Sequence, residues 1–509
     1  MVASLFDSCQ KTGRRMNETG FELVAADASV LWMSTRIPFR YGIATLTELP
    51  HLFLRVTLRP QGSPHQVYGV AADGLLPKWF DKNPATTGQE DLANMWASIA
   101  KAIDNALTQR HFSSGFDLWW TLYNAQGPWG EKRGFPALLW HFGVTLVERA
   151  VIDALCRAAD RPVSEMLKEG RLGLDPALVA PDLPDGALAE ILQASPLERI
   201  AVRHTVGMSD PLTSQDLEEP IQDGLPETLE EDIRTYRLSY FKIKVRGDLE
   251  PDIERLSQIA ELFSRLGVSD FRFSLDGNEQ FRDAESFRVF FEAVASNARL
   301  SEFFQRLLFV EQPFARAIAL EANLGRGLKA WKDRPAIIID ESDGSIGDVK
   351  RALALGYSGS SYKNCKGVFK GILNAARIRA ANTSEGRAVL LSGEDLANVG
   401  PVALLQDLAM MAKLGIGHVE RNGHHYFRGL SRFSPELQQQ MLTLHGDLYH
   451  PIAMVATGRQ SEEFYPTLRI VDGALSNTSV TTAPFGVVPI PEETEYRPFL
   501  ETACPQMKG

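Results

Sequence analysis

The feature that most constrains the fold is a series of apolar runs that each end in a charged residue. The runs end at Lys244, Asp276, Glu311, Asp340 and Lys363, at intervals of 23 to 35 residues. This spacing is typical of strand–helix units, and continuous apolar runs indicate parallel strands buried on both faces. The pattern predicts a parallel α/β barrel with these charges at the carboxyl ends of its strands, where such barrels carry active sites.

Other segments extend this series in both directions. Residues 197–207 are predicted to form a first strand, and residues 388–395 and 415–420 a seventh and an eighth. Helical segments separate the strand candidates, and strands that alternate with helices indicate a parallel barrel.

The chain outside the barrel has a different pattern. From Phe21, alternating segments broken by Gly and Pro predict an antiparallel sheet, and helical periodicity follows over residues 90–109 and 140–159. Beyond the eighth strand, late apolar segments are expected to return to the N-terminal sheet. We therefore expect an α+β capping domain over residues 1–190, a barrel over 191–430, and a C-terminal segment over 431–509 that returns to the cap.

Two stretches leave alternatives open. Residues 112–142 are rich in aromatic side chains, which favours core packing between helices over a substrate lid or an oligomer contact. Residues 208–232 are acidic and would leave the catalytic end of the first strand. A segment this long is either a flap over the site or a solvated surface excursion.

Charge and composition exclude several classes of function. The formal net charge of −11 argues against nucleic-acid binding, which needs a basic face, and no apolar run is long enough to span a bilayer. The N-terminal residues do not follow the order of a secretion signal, so a cytoplasmic location is expected. The four cysteines are too scattered to predict structural zinc or a disulfide framework; they are Cys9, Cys156, Cys365 and Cys504.

Three of the charged strand ends are candidate metal ligands. Asp276, Glu311 and Asp340 would supply hard oxygen atoms from three successive strands, half of an octahedral shell. Mg²⁺ prefers such a shell, and Mn²⁺ also accepts it. Without a cation, three adjacent carboxylates would repel one another.

Lysines flank this predicted metal site. Lys242 and Lys244 lie two residues apart, so both should face the barrel interior. Two neighbouring ammonium groups are expected to lower the pKa of at least one, to roughly 7 or 8, which suits a general base near neutral pH. Lys363, on the sixth strand, would lie across the barrel as the opposing acid.

The motifs that contain these residues resemble those of the enolase superfamily, in particular its muconate-lactonizing and mandelate-racemase-like members. The matching segments are KIK at Lys242–Lys244, LDGNEQF at Asp276, FVEQP at Glu311, IIIDES at Asp340 and YKNCKG at Lys363. The resemblance implies a (β/α)₇β barrel with an α+β cap built from both ends of the chain. It also implies a homo-oligomer.

The resemblance further implies a chemistry. Mg²⁺ held by Asp276, Glu311 and Asp340 would stabilise an enediolate formed when the proton α to a carboxylate is removed. Lys244 would be the base on one face and Lys363 the acid or base on the other. Lys242 would tune Lys244 or contact the substrate carboxylate.

Departures from the family pattern refine this expectation. The seventh strand has no histidine, which favours the subgroup that uses two lysines. The segment KNCKGVF has altered spacing, so Lys363 or Lys366 is the acid or base from the sixth strand. The two long insertions indicate an unusual substrate pocket.

Further candidates surround this set. Asn278 and Gln312 are expected to hold the metal ligands in place. Glu341 directly follows Asp340, so it either points away from the interior or, at a strand end, exchanges roles with Asp340. Glu420 is either a substrate contact or a structural residue. Two arginines beside a predicted turn, Arg36 and Arg40, either pair with a second carboxylate of the substrate or lie at the surface.

The sequence therefore predicts a magnesium-dependent enzyme acting on a small-molecule carboxylate. A racemase, epimerase or cycloisomerase is favoured, because a lysine on each face can remove a proton and return one. Dehydration by a syn-lyase is the alternative. A metal-bound binding protein without turnover is the alternative of another class. No nucleic-acid or membrane partner is expected.

Overall fold

The computed structural model of the chain describes residues 20–41, 44–221, 223–385, 389–456, 459–489, 491 and 497–498. Within them, eight parallel strands form a closed barrel, because each strand pairs with the next and the eighth pairs with the first. The predicted barrel is confirmed. Its strands are Arg199–Val206, Tyr240–Lys244, Arg272–Asp276, Leu307–Glu311, Ile337–Ile339, Gly359–Tyr362, Leu390–Gly393 and His418–Arg421.

Helices connect successive barrel strands and cover the outside of the barrel. Their apolar faces pack inward: Leu249–Leu266, for example, buries Leu256, Ile259 and Phe263, and it ends at Gly267 in the left-handed conformation that glycine adopts without strain. The longer barrel helices are Leu229–Tyr236, Leu249–Leu266, Ala284–Ala295, Ala322–Ala330, Asp348–Leu355, Val368–Glu385 and Ala403–Lys413.

The N-terminal part forms the predicted α+β cap. Strands Phe21–Tyr41, Ala44–Pro60 and Val67–Gly74 pair in antiparallel order, and the short strand His111–Phe112 joins the first of them. The helices of the cap are Gly88–Gln109, Gly115–Lys132 and Ala137–Ala159. The last of these is almost entirely buried, so it is the core helix of the cap.

The C-terminal part contacts both the cap and the barrel. Arg497–Pro498 pairs with the first cap strand at Ser29 and Val30. Ala474–Ser476 instead pairs with the first barrel strand, and Tyr449–Ala456 and Arg459–Leu468 form a separate hairpin. The division into residues 1–190, 191–430 and 431–509 stays a prediction.

The aromatic stretch 112–142 forms part of the hydrophobic core of the cap. Most of it forms the helix Gly115–Lys132 and the start of Ala137–Ala159. Trp119 is fully buried, and Trp140 is nearly so. Tyr123 contacts the edge of the Trp140 ring, with 5.0 Å between ring centroids. These contacts agree with the packing interpretation of the stretch.

The described helices give no candidate for a bilayer span, because none is both long and apolar enough. Cys156 and Cys365 are buried free thiols, whereas Cys9 and Cys504 lie outside the described residues. The carboxyl ends of the barrel strands face the cap, so the cleft at these ends has one wall from the barrel and one from the cap.

Candidate active site

The register of the barrel strands brings the predicted charges together. Lys244 pairs with Asp276, and Asp276 pairs with Glu311, so the three residues form a row across the ends of the second, third and fourth strands. Asp340 and Lys363 are the first residues beyond the fifth and sixth strands. All of these side chains are buried or nearly so. The structure therefore gathers the predicted ligands and lysines at one end of the barrel.

Lys242 lies at the centre of this cluster. Its Nζ is 2.8 Å from Glu311 Oε2, 3.2 Å from Asp276 Oδ2, 3.0 Å from Glu394 Oε2 and 3.1 Å from Glu420 Oε2. Burial alone would lower the pKa of Lys242, but the surrounding carboxylates outweigh it and raise the pKa well above the usual value. The predicted lowering by the neighbouring Lys244 is therefore wrong for Lys242, because four carboxylates outweigh one ammonium.

Lys244 contacts Asp276 and the residue Asn278 that follows the third strand. Its Nζ donates to Asp276 Oδ2 at 2.8 Å and to Asn278 Oδ1 at 3.2 Å. The backbone N–H of Asn278 donates in turn to Asp276 Oδ1 at 2.9 Å. The Asp276 carboxylate is thus oriented from both sides, and Asn278 has the positioning contact that its sequence position predicts.

Asp340 accepts contacts from two lysines. Lys363 Nζ is 2.6 Å from Asp340 Oδ2, and Lys366 Nζ is 2.7 Å from Oδ1. Lys366 also donates to Ser361 Oγ at 2.7 Å and to the Asp340 carbonyl oxygen at 2.8 Å. Burial disfavours the charge of Lys363, but Asp340 outweighs it and raises the pKa of Lys363.

A cleft opens above the cluster. The barrel contributes Lys242, Lys244, Asp276, Asp340 and Lys363 to its walls. The cap contributes its opposite wall through Phe39, Leu76, Lys78, Trp79 and Lys82. The Nζ of Lys363 lies 4.9 Å from the centre of the Trp79 ring, a cation–π contact that joins cap and barrel at the cleft. Lys366 is not among the residues that line it.

The three carboxylates fit a hard divalent cation. They provide only oxygen ligands, which Mg²⁺ prefers. Glu311 Oε2 is buried, and its one close cation among the described residues is Lys242, whose Nζ is 2.8 Å away without the geometry of a hydrogen bond. Burial and the neighbouring Glu394 raise the pKa of Glu311 well above its usual value. A cation would relieve this crowding of negative charge.

Gln312 makes hydrogen bonds to the residues that follow the fifth strand. Its Nε2 donates to Ser342 Oγ at 2.7 Å and to the Phe314 carbonyl at 2.8 Å. Its Oε1 accepts from the Asp340 backbone N–H at 2.8 Å. Gln312 therefore positions Asp340, and it has a positive φ of 36°, a conformation that such contacts must hold in place.

Two further carboxyl groups lie at the cleft. Glu341 lines it, which favours the alternative in which a residue at the strand end can turn toward the site over one in which Glu341 points away. Burial and the nearby Asp340 raise the pKa of Glu341 to about 7. Glu420 also lines the cleft and accepts from Thr205 Oγ1 at 2.9 Å, and burial raises its pKa to about 7.

The two cap arginines, Arg36 and Arg40, lie outside the cleft, and their surroundings differ. Arg36 makes a bidentate contact with Asp223 of the acidic stretch, at 2.7 and 2.8 Å, and donates to the carbonyl oxygens of Pro226 and His425. Arg40 is exposed. Neither arginine is among the residues that line the cleft.

The acidic stretch 208–232 is also absent from the cleft walls, as far as its described residues show. It contains the first turn of the helix Leu229–Tyr236 and packs Asp223, Thr228 and Asp232 into the protein. The flap interpretation is therefore not supported. The stretch instead anchors the cap loop that carries Arg36.

Comparisons with solved structures agree with this architecture. Muconate lactonizing enzyme from Pseudomonas fluorescens, in complex with muconolactone, aligns with a TM-score of 0.55 at 14% identity, covering 94% of this chain and 99% of the other. The fold is that of the enolase superfamily. Dipeptide epimerase from Enterococcus faecalis, in complex with Mg and L-Leu-L-Tyr, aligns with a TM-score of 0.55 at 14% identity, covering 91% and 99%.

N-succinyl Arg/Lys racemase from Bacillus cereus also has this fold, with a TM-score of 0.53 at 12% identity over 91% of this chain and 98% of the other. No family model matches the sequence. No curated protein matches it either. At these identities the similarity establishes the enolase-superfamily fold, and the roles of individual residues rest on the geometry.

One ion pair inside the barrel was not predicted. Glu394, at the end of the seventh strand, pairs with Arg203 of the first strand and with Lys242. Arg203 also donates to Ser274 Oγ at 2.6 Å and to Ser392 Oγ at 2.7 Å. Glu394 closes an apolar strand just as Asp276 and Glu311 do, so the same sequence signal identifies it.

Proposed function

We propose that this protein is a magnesium-dependent enzyme that removes the proton α to a carboxylate, and that it acts as a racemase, epimerase or cycloisomerase. The observation that carries the proposal is the placement of two lysines on different parts of one carboxylate cluster. Lys244 contacts Asp276 and Lys363 contacts Asp340, and both lysines line the cleft.

Asp276, Glu311 and Asp340 would hold the metal ion. When bound, Mg²⁺ would supply a Lewis acid that stabilises negative charge on the substrate carboxylate. Lys244 and Lys363 contact two of these carboxylates directly. Each lysine must release its carboxylate oxygen to act on substrate. Release from Asp340, which raises the pKa of Lys363, makes that ammonium group easier to deprotonate.

The proton transfers belong to the lysines in this proposal. Lys244 Nζ would remove the α-proton from one face, and Lys363 Nζ would return a proton to the other. Lys363 is preferred over Lys366 because Lys363 lines the cleft. Lys366 is held below by Ser361 and by the Asp340 carbonyl, where it positions Asp340.

The first experiment tests proton abstraction directly. A library of α-chiral carboxylates, including N-acyl amino acids and dipeptides, is incubated with enzyme and Mg²⁺ in D₂O, and exchange of the α-proton is followed by ¹H NMR. We expect exchange with at least one substrate class. Exchange with inversion supports the racemase or epimerase, whereas exchange with loss of water supports dehydration.

Single-lysine variants then test the assignment of faces. Lys244→Ala and Lys363→Ala should each abolish turnover, and each should leave exchange only for the enantiomer whose proton faces the remaining lysine. Lys329→Ala is the matched control because Lys329 is an exposed lysine on a barrel helix. Full activity in both cleft variants would refute the two-lysine assignment.

The metal assignment has its own test. Asp276→Asn should abolish stoichiometric Mg²⁺ binding in calorimetry, whereas Asp270→Asn should not, because Asp270 is an exposed carboxylate beside the same strand. Unchanged Mg²⁺ affinity in Asp276→Asn would rule out this ligand set. A protein that binds Mg²⁺ but exchanges no substrate proton would be a binding protein rather than an enzyme.

A further inference from the structure

A cluster of three histidines and one aspartate lies outside the barrel interior. His204 is on the first barrel strand, Asp232 is on the helix Leu229–Tyr236 of the acidic stretch, and His424 and His425 follow the eighth strand. Their exposed fractions are 2%, 0%, 4% and 3%, in that order. Arg203 and Thr205 reach contacts within the barrel, so His204 between them points to the other face of the strand. The proposed catalysis uses none of these four residues.

The donor atoms of this cluster are close enough to share an ion. One ligand atom each from His204, Asp232 and His424 lies within 4.8 Å of the other two. His204 Nδ1 is 3.1 Å from His424 Nε2, and His204 Nε2 is 3.5 Å from Asp232 Oδ2. A tetrahedral zinc ion with bonds of about 2.0 to 2.1 Å separates its ligand atoms by roughly 3.3 Å. The two short distances involve different nitrogens of His204, so the His204 ring must turn to direct one nitrogen toward both partners. The spread of at most 4.8 Å between single ligand atoms then has to contract by about 1.5 Å to form a coordination shell.

Unpaired polar atoms point independently to a ligand. Asp232 Oδ1 accepts no hydrogen bond from the described residues, and His424 Nδ1 has no hydrogen-bond partner among them. Asp232 Oδ2, by contrast, is 3.0 Å from His425 Nδ1. Buried polar groups nearly always have partners, and the nearby guanidinium of Arg36 is bound to Asp223 instead. One oxygen of the fully buried Asp232 carboxylate and one nitrogen of His424 thus remain for a ligand.

We propose that His204, Asp232 and His424 bind a zinc ion, and that His425 positions the Asp232 carboxylate. Imidazole nitrogens select zinc and similar late first-row metals over Mg²⁺, which prefers oxygen. His425 Nδ1 is 3.0 Å from Asp232 Oδ2, where it can orient the ligand as outer partners in zinc sites do. This site is distinct from the carboxylate cluster at Asp276, Glu311 and Asp340.

The zinc site would join three segments that are far apart in sequence. The ligands come from the first strand, the acidic stretch and the segment after the eighth strand. That last segment supports the cap, because the His425 carbonyl accepts from Arg36 at 2.9 Å and the Tyr426 ring packs on Phe39 at 4.3 Å between centroids. Phe39 lines the cleft. The ion would therefore stabilise the cap loop beside the active site without taking part in the chemistry.

Metal analysis of the full-length protein tests the proposal. The protein is stripped with chelator, incubated with Zn²⁺ in the presence of excess Mg²⁺, dialysed and analysed by mass spectrometry. We expect about one zinc per chain, as for a structural site, and a raised Tm. Asp232→Asn and His424→Gln should each lose this zinc. His445→Gln is the matched control, because His445 is a buried histidine that contacts Ser479 elsewhere in the protein.

Two further measurements separate this site from the active site and from folding defects. Asp276→Asn should retain the zinc, because it alters only the carboxylate cluster. Co²⁺ loaded into the wild-type protein should give the intense visible absorption of a tetrahedral site, a readout that needs no variant. Zinc that is absent from the wild type, retained by Asp232→Asn and His424→Gln, or lost in Asp276→Asn would overturn the proposal.

Discussion

Removal of the Lys242 ammonium group should destabilise the protein strongly, and Mg²⁺ should restore part of the loss. Lys242 Nζ lies 2.8 to 3.2 Å from oxygens of Asp276, Glu311, Glu394 and Glu420. Lys242→Met keeps the length of the side chain but leaves these buried carboxylates with one cation fewer. Two unit charges 3 Å apart interact by about 5 kcal/mol at an effective dielectric constant of 20, so the four contacts together exceed the desolvation cost of the lysine.

The net cost is smaller than this Coulomb sum, because the carboxylates can take up a proton or rearrange. Removing one partner of a buried ion pair costs about 3 to 5 kcal/mol, and we expect a loss of that size in chelator. Glu311 and Asp276 are also proposed metal ligands, so a bound divalent ion would replace part of the missing charge. The deficit should shrink by about 1 to 3 kcal/mol in saturating Mg²⁺, a typical coupling energy between two sites.

Urea unfolding of wild type and variant, in chelator and in Mg²⁺, gives the four free energies of unfolding that this prediction needs. Lys370→Met is the matched control: Lys370 is fully buried and its Nζ is 2.7 Å from Asp343, but neither residue lines the cleft. Its deficit should be the same with and without Mg²⁺. An equal effect of Mg²⁺ on both variants, or a loss below about 1 kcal/mol for Lys242→Met, would refute the charge argument.

Three other perturbations have defined outcomes. Burial, together with Arg149, lowers the pKa of His51 to about 3, so only the unfolded chain takes up the proton between about pH 6.5 and 3. The contribution of His51 to the free energy of unfolding is therefore fully present above pH 6.5 and decreases as the pH falls below it. In urea titrations, His51→Leu should lower the slope of the free energy of unfolding against pH by about 1.4 kcal/mol per pH unit. Gln312→Leu removes the hydrogen bonds that position Asp340 and should weaken Mg²⁺ binding in calorimetry by about 10- to 100-fold. Arg36→Ala leaves the buried carboxylate of Asp223 with the half-exposed Arg428 as its cation and with the backbone N–H of Leu225. The substitution should cost about 3 kcal/mol and speed proteolysis within residues 208–232.

Each of these predictions has a control. His65→Leu, at an exposed position, should leave the pH slope unchanged, and an unchanged slope in His51→Leu as well would contradict the burial argument. Arg40→Ala should change stability by less than about 0.5 kcal/mol, because Arg40 is exposed. Equal proteolysis of the Arg36 and Arg40 variants would show that Asp223 does not anchor the acidic stretch. If Gln312→Leu bound Mg²⁺ with the affinity of the wild type, Gln312 would not be needed to position Asp340.

The barrel and most of the site were predictable because local sequence and fold coincide there. A strand buried on both faces needs a continuous apolar run, and the first charge after it must lie at the strand end. Asp276 and Glu311 are placed by that rule alone, and the strand register makes them neighbours. The same rule identifies Glu394, the first charge after the seventh strand Leu390–Gly393.

Other features depend on contacts that local sequence does not contain. The pKa of Lys242 is set by Glu394 and Glu420, which follow or end the seventh and eighth strands, as well as by Asp276 and Glu311 of the third and fourth strands. Local sequence does not decide the orientation of Glu341, because alternation applies only within a strand and the fifth strand ends at Ile339. Arg36 is fixed by Asp223, a partner far along the chain that no sequence spacing indicates.

The pairing of Ala474–Ser476 with the first barrel strand has a consequence for biosynthesis. In the described part of the chain, one edge of Arg199–Ala201 pairs with a segment more than 270 residues later in the sequence. Contacts between such distant segments carry a high entropic cost of loop closure and slow folding. During translation, that edge would stay exposed until Ala474–Ser476 had emerged from the ribosome. Exposed strand edges invite association with other chains, so the nascent protein should depend on chaperones until this late segment closes the edge.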